Sequence, residues 1–172
     1  MSARSARILL VEDDEIQGEI LKSLLEQQHY NVDYFLDGRS AIAATQKRQY
    51  DLAFIDIYLP DISGLDVLDN MRANPHYANT PILMMTADAT EDTSVLALVK
   101  EADEVLIKPL RHSEFLLKTK LWLDRQLERL LGVDLVLIGE LERELVHVLR
   151  IGAGDDERAL CVAQRLRQAC ER

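Results

Sequence analysis

Five short aliphatic runs, separated by amphipathic stretches, constrain the fold of this chain more than any other feature. Arg7 to Val11, Asn31 to Leu36, Leu52 to Ile55, Pro81 to Met85 and Val105 to Ile107 are each bounded by polar or turn residues. That is the pattern of strands buried on one or both faces. Between them, apolar residues recur three and four apart: Ile16, Ile20 and Leu24; Ala41 to Tyr50; Leu65, Leu68 and Met71; Val95, Leu98 and Val99; and Phe115 onward. These stretches predict helices. Asp14, with Gln17 three residues later, predicts an N-cap with a capping box, and Gly38 and Gly64 are expected in the loops ahead of the second and third helices. Strict strand–helix alternation predicts an α/β fold with a five-stranded parallel sheet, right-handed crossovers and helices on both faces. Its ligand crevice should lie at the carboxyl ends of the strands.

Composition narrows the function classes. Of the 172 residues, 48% are apolar and 29% charged, enough to bury a core, which excludes wholesale disorder. No apolar run reaches the ~18 residues of a membrane span, and Met1 to Arg7 is not followed by a secretory signal's apolar stretch, so a cytoplasmic location without membrane contact is expected. Cys161 and Cys170 have no partners at metal-ligand spacing, so neither a disulfide framework nor a zinc site is expected. The formal charge is −10, and the whole deficit falls in the first 110 residues, with 19 acidic against 9 basic side chains. No basic stripe is available to neutralise phosphates, so direct nucleic-acid binding is not expected.

The carboxyl ends of the strands carry the chemistry. Glu12, Asp13 and Asp14 follow the first strand, Asp56 the third, Thr86 the fourth, and Lys108-Pro109 the fifth. Clustered carboxylates repel one another unless a cation sits among them, and an oxygen-only set suits Mg²⁺. A lysine and a hydroxyl beside such a site match the needs of phosphoryl transfer, and a carboxylate can itself be the nucleophile. Asp56, ending a central strand, is the candidate. Taken singly, these residues would be ordinary: a strand-end Asp is commonly solvated or a cap, and Asp14 reads better as a cap than as a ligand. Met84 and Met85 read as core, His29, His76 and His112 as surface, and Trp122 as packing the last helix or an interface.

Taken together, Ile8-Leu9-Leu10-Val11-Glu12-Asp13-Asp14, Asp56-Ile57-Tyr58-Leu59-Pro60-Asp61-Ile62-Ser63-Gly64, Met85-Thr86-Ala87 and Lys108-Pro109 resemble the receiver domain of two-component response regulators, over about residues 5 to 125. The resemblance implies a flavodoxin-like fold. It also implies that Asp56 is the phosphoacceptor, and that Glu12, Asp13, Asp56 and the backbone carbonyl of Tyr58 hold Mg²⁺. Thr86 and Lys108 would grip the phosphoryl oxygens, with the Ala87 amide contributing, and the Lys108-Pro109 bond is expected to be cis. The phosphodonor would be a histidine kinase or phosphotransfer protein. Such a protein is not an enzyme in the ordinary sense, catalysing only its own phosphorylation and slow dephosphorylation. The sequence departs from the family pattern at its switch: with Thr86 at the hydroxyl position, Val105 stands where an aromatic usually rotates inward. Glu101-Ala102-Asp103 replaces Gly-Ala-Asp, and Leu110 replaces an aromatic. Val105 and Leu110 favour an alternative, a non-phosphorylated pseudo-receiver serving as an interaction module. A haloacid-dehalogenase-type hydrolase lacks its Asp-x-Asp signature, since position 58 is Tyr.

Residues 1–124 are therefore expected to form the receiver and 125–172 a helical extension. Leu123, Leu127, Leu130, Leu137, Leu141 and Val148 keep a three–four spacing interrupted at Gly132 and Gly139, and Gly152 to Asp156 breaks it before a final helix. The extension is read as a dimerisation or docking element, giving a homodimer and a contact surface for a downstream protein.

Overall fold

The computed structural model describes residues 5–87 and 102–131, of which 128–131 are described by their backbone alone. Strands β1 (Arg7–Val11), β2 (Asn31–Phe35), β3 (Leu52–Asp56), β4 (Ile82–Thr86) and β5 (Glu104–Ile107) form one parallel sheet in the order β2-β1-β3-β4-β5. Helices α1 (Glu15–Gln27), α2 (Gly38–Thr45), α3 (Gly64–Ala73) and α4 (His112–Leu131) join the strands or close the fold, with a short 3₁₀ turn at Pro75–Tyr77. The α/β class expected from the alternation and the flavodoxin-like fold implied by the resemblance are the observed ones. The helix expected at Val95 to Val99 and the extension beyond residue 131 lie outside the described residues. Residues Met1–Gln126 form one compact unit, and α4 runs unbroken through the boundary expected at 124/125.

The sheet is buried on both sides because its residues alternate between two cores. Leu9, Val11, Ala53, Ile55, Ile82 and Met84 pack with Val67, Leu68 and Met71 of α3. Ile8, Leu10, Leu52, Phe54, Leu83 and Met85 pack with Leu21 and Leu25 of α1 and Phe115 of α4. Phe54 and Phe115 meet at 4.5 Å between ring centroids with planes tilted 45°, a favourable aromatic geometry. β3 and β4 are buried at every position, as central parallel strands must be. Met84 and Met85 are core, and the three described histidines are exposed, as expected.

Several local expectations are corrected. The inward stripe of α1 is Gly18, Leu21 and Leu25, while Ile16 is 77% and Ile20 43% exposed. Leu24 and Leu25 offered two phases, and contact with β2 selected the one that turns Gly18 inward. Asp14 does cap α1, accepting from Ile16 N and Gln17 N at 3.0 Å each. The Asp14 amide faces Glu12 Oε1 at 3.4 Å, the place a reciprocal Gln17 arm would take. The full capping box lies at Ser63 and Asp66, opening α3. Gly38 and Gly64 are the first residues of α2 and α3 rather than loop residues. α2 ends at Thr45, not Tyr50, and Tyr50 instead turns its hydroxyl onto Asp33 at 2.8 Å. No helix among the described residues is long and apolar enough to cross a membrane.

α1 ends with His29 at φ 65°, the left-handed conformation that terminates helices. A side chain is strained there, so His29→Gly should stabilise the fold by about 0.5–1 kcal/mol net of glycine's greater unfolded-state entropy. Urea unfolding would read this as a raised midpoint at constant slope, and an unchanged midpoint would refute it.

Candidate functional site

The strand order places the site. From β1 the chain passes outward to β2, then returns across β1 to β3. The loops leaving β1 and β3 therefore diverge, opening the crevice found at such a reversal. Glu12 and Asp13 leave β1 on one side and Asp56 ends β3 on the other. One ligand oxygen each from Glu12, Asp13 and Asp56 lies within 4.8 Å of the others.

Lys108 reaches this cluster from the end of β5. Its ammonium donates to Glu12 Oε1 at 2.7 Å and lies 2.6 Å from Glu12 Oε2. It also donates to Asp56 Oδ2. Glu12 is completely buried and Asp56 4% exposed. Burial raises the Glu12 carboxyl above its ordinary value, against the lowering influence of Lys108. Burial alone would lower Lys108, yet its hydrogen bonds to Asp56 and Glu12 prevail and hold the ammonium above its ordinary value. One lysine does not satisfy this set: Glu12 Oε2 is buried without a directed hydrogen bond. Three acidic groups served by one ammonium, two of them buried, fit a hard divalent cation.

Asp56 is oriented from both sides. Its Oδ1 accepts from the Tyr58 amide at 2.9 Å, leaving Oδ2 to the lysine. The loop after β3 folds back so closely that a Cβ on Gly64 would stand 1.9 Å from the Asp56 carbonyl oxygen. Gly64 N also donates to Ile57 O at 2.9 Å. No other residue fits there, which the sequence signalled only as a turn. Asp61 ties the same loop to α2, accepting from Gly38 N at 2.9 Å and Arg39 N at 3.0 Å.

The remaining expected residues take these places. Asp56 pairs with Met85, so Thr86 lies one residue further toward the crevice on the neighbouring strand, 6% exposed, and its carbonyl accepts from Lys108 N at 2.7 Å. Ala87 follows it at the exposed mouth. The Lys108-Pro109 bond is cis. Val105 pairs with Met84 and packs against the α3-side core. Tyr58 exposes its side chain. Asp14 serves as a cap, and the cluster does not include it. Sequence reasoning missed Tyr34, whose hydroxyl donates to Glu12 O at 3.1 Å. Burial first, then the negative field of Glu12, Glu19, Glu15 and Asp14, pushes this phenol up to about 12, so it remains a donor at neutral pH.

Comparison with known proteins agrees with this geometry. A family profile described as the response regulator receiver domain matches residues 8–120. The transcriptional regulatory protein QseB of Haemophilus influenzae is 39% identical over 108 residues, which is 63% of this chain and 48% of that protein. The chain spans about half the length of such curated relatives. Among solved structures, a CheY-like receiver domain protein from Methanospirillum hungatei superposes with a TM-score of 0.65 at 30% identity, covering 73% of this chain and 98% of that one. The response regulator TrrA of Thermotoga maritima, solved in complex with Mg²⁺-BeF, gives 0.60 at 30% identity, covering 67% and 96%. The chain belongs to the response regulator receiver domain family of two-component signal transduction.

The Asp61 tie has a pH signature. Slight burial would raise this carboxyl, but the amides of Gly38 and Arg39 outweigh it and hold it below its ordinary value of 3.8. A depressed folded-state pKa stabilises above the unfolded value and is lost as pH falls through the folded one. The stability gap between wild type and Asp61→Asn should therefore be open at pH 7 and narrow below about pH 4. Urea unfolding at pH 7 and pH 3 compares them, and a gap independent of pH would refute the tie.

Proposed function

We propose that this receiver accepts a phosphoryl group on Asp56 from the phosphohistidine of a histidine kinase or phosphotransfer protein, and that Mg²⁺ assists. The observation that carries the proposal is the meeting of Lys108 with Glu12 and Asp56, 96 and 52 residues away in the chain, in one acidic cluster that Asp13 completes. The Tyr58 amide fixes Oδ1 of Asp56, so Oδ2 is the attacking atom. As its bond to phosphorus forms, the phosphorus–nitrogen bond breaks and the imidazole nitrogen takes the electron pair. Lys108, which follows Oδ2 on a flexible stem, passes to a phosphoryl oxygen, and Thr86 with the Ala87 amide takes others. Glu12, Asp13, Asp56 and the Tyr58 carbonyl would hold Mg²⁺, which supplies charge neutralisation between the nucleophile and the incoming phosphoryl group. The chain acts on itself alone, adding the phosphate and slowly hydrolysing it.

The output proceeds by protein contact. Leu117 (58% exposed) and Leu121 of α4, four residues apart on one helix face, are exposed to solvent and suited to a second copy or a downstream protein. QseB is by name a transcriptional regulatory protein; within residues 5–127 the acidic balance gives no nucleic-acid surface, so DNA contact is no part of the proposal. The pseudo-receiver alternative draws on Val105, which has no ring to rotate, but every group the chemistry needs is present.

Incubation with a small phosphodonor and Mg²⁺ should add a single phosphate by mass spectrometry, absent in Asp56→Asn and after chelation of Mg²⁺. A wild-type chain without an adduct would overturn the proposal. Truncation after Asp124 should convert a dimer into a monomer in light scattering, and an unchanged mass would remove the dimerisation role.

A further inference from the structure

Asp13 is the exposed member of the acidic set and sits on the loop between β1 and α1. Its position is therefore set by the backbone on either side. The amide of Glu12 donates to Phe35 O at 3.1 Å, and the carbonyl of Glu12 accepts from the Tyr34 hydroxyl at 3.1 Å. The same hydroxyl lies 3.5 Å from the carbonyl of Asp14. One phenol on β2 thus contacts the main chain immediately before and immediately after Asp13. The ring reaches there only because α1 has no side chain at position 18: a Cβ on Gly18 would stand 2.0 Å from the Tyr34 hydroxyl oxygen and 2.2 Å from Cζ. Glycine inside a 13-residue helix is otherwise unfavourable. Its presence is accounted for by the space the ring needs.

We infer that Tyr34 and Gly18 form a lock that holds the Asp13 loop in the conformation a divalent cation requires, with Tyr34 as a positioning residue acting through the backbone of Glu12 and Asp14. The inference rests on the Mg²⁺-dependent reading above, and concerns which residues prepare the site rather than which bind the ion. A ligand carboxylate on a loop already held in place loses less freedom on binding than one on a free loop, and the hydroxyl contributes chiefly one part-buried hydrogen bond, to the Glu12 carbonyl.

The test is a calorimetric Mg²⁺ titration of the full chain as wild type, Tyr34→Phe, Gly18→Ala and the double variant. Tyr34→Phe keeps the ring and loses only the hydroxyl, and should weaken Mg²⁺ binding about three- to tenfold. The Mg²⁺ concentration giving half-maximal phosphorylation should rise by the same factor, while the rate at saturating Mg²⁺ stays within about twofold. Gly18→Ala displaces the ring and should weaken Mg²⁺ in the same direction, and the double variant should be no weaker than the weaker single one, because both act through one contact. A purely structural Tyr34 would lower the melting temperature and leave the Mg²⁺ affinity at the wild-type value. That result, or multiplying effects in the double variant, would overturn the lock alone. A wild-type chain that binds no Mg²⁺ would overturn the functional reading and the lock with it.

Discussion

The ammonium of Lys108, held between the buried carboxylates of Glu12 and Asp56, is the interaction on which the rest of the site depends. Carboxylates taken out of water cost several kcal/mol each unless a cation offsets them. Here one cation serves two buried groups, with Asp13 adding a third negative charge at the mouth. The deficit is visible in the raised Glu12 carboxyl and in its oxygen without a directed hydrogen bond. A site with this excess of negative charge favours a further cation. It persists because the strand that supports Asp56 is buried along its whole length and paired on both sides.

The loops around that charge are held chiefly through main-chain hydrogen bonds. The β3–α3 loop is fixed by Gly64 N to Ile57 O, by Asp61 to the first amides of α2, and by the Ser63–Asp66 capping box. The β1–α1 loop is fixed by Phe35, Tyr34 and the Asp14 cap. These ties place the functional carboxylates without using their oxygens, and the Tyr58 amide that does meet Asp56 takes Oδ1 and leaves Oδ2 to the lysine. The same economy explains why small residues stand at Gly18 and Gly64. Each lies where another group passes within the radius of a methyl.

Much of this was legible in the sequence, and the reasons for the exceptions are physical. The parallel sheet and the placing of Glu12, Asp13, Asp56, Thr86 and Lys108 at its carboxyl edge followed from alternating aliphatic runs and from the residues just beyond them, while the flavodoxin-like class came from the family resemblance. The phase of α1 did not follow, because the Ile16, Ile20 and Leu24 spacing reads as an inward face, whereas Leu21 and Leu25 enter the core and Gly18 meets Tyr34. The end of α2 did not, because Tyr50 is apolar enough to extend a helical stripe, while its hydroxyl finds Asp33 outside the helix. Tyr34 itself was invisible for a related reason: an aromatic residue in a strand reads as β-preference. Its role depends on a glycine 16 residues earlier, on a neighbouring element.

Val105 bears on how occupancy of the site could reach the surface. It lies against the α3-side core and pairs with Met84, the residue before the one aligned with Asp56. A branched aliphatic side chain there is restricted at χ1 and has no ring to move between inside and outside. Under the proposed function, one path from Thr86 is displacement of the β4 and β5 backbones, coupled directly by the hydrogen bond from Lys108 N to Thr86 O. Lys108 is common to both ends of that path: its side chain grips the acidic pocket while its amide is tied to the hydroxyl-bearing strand.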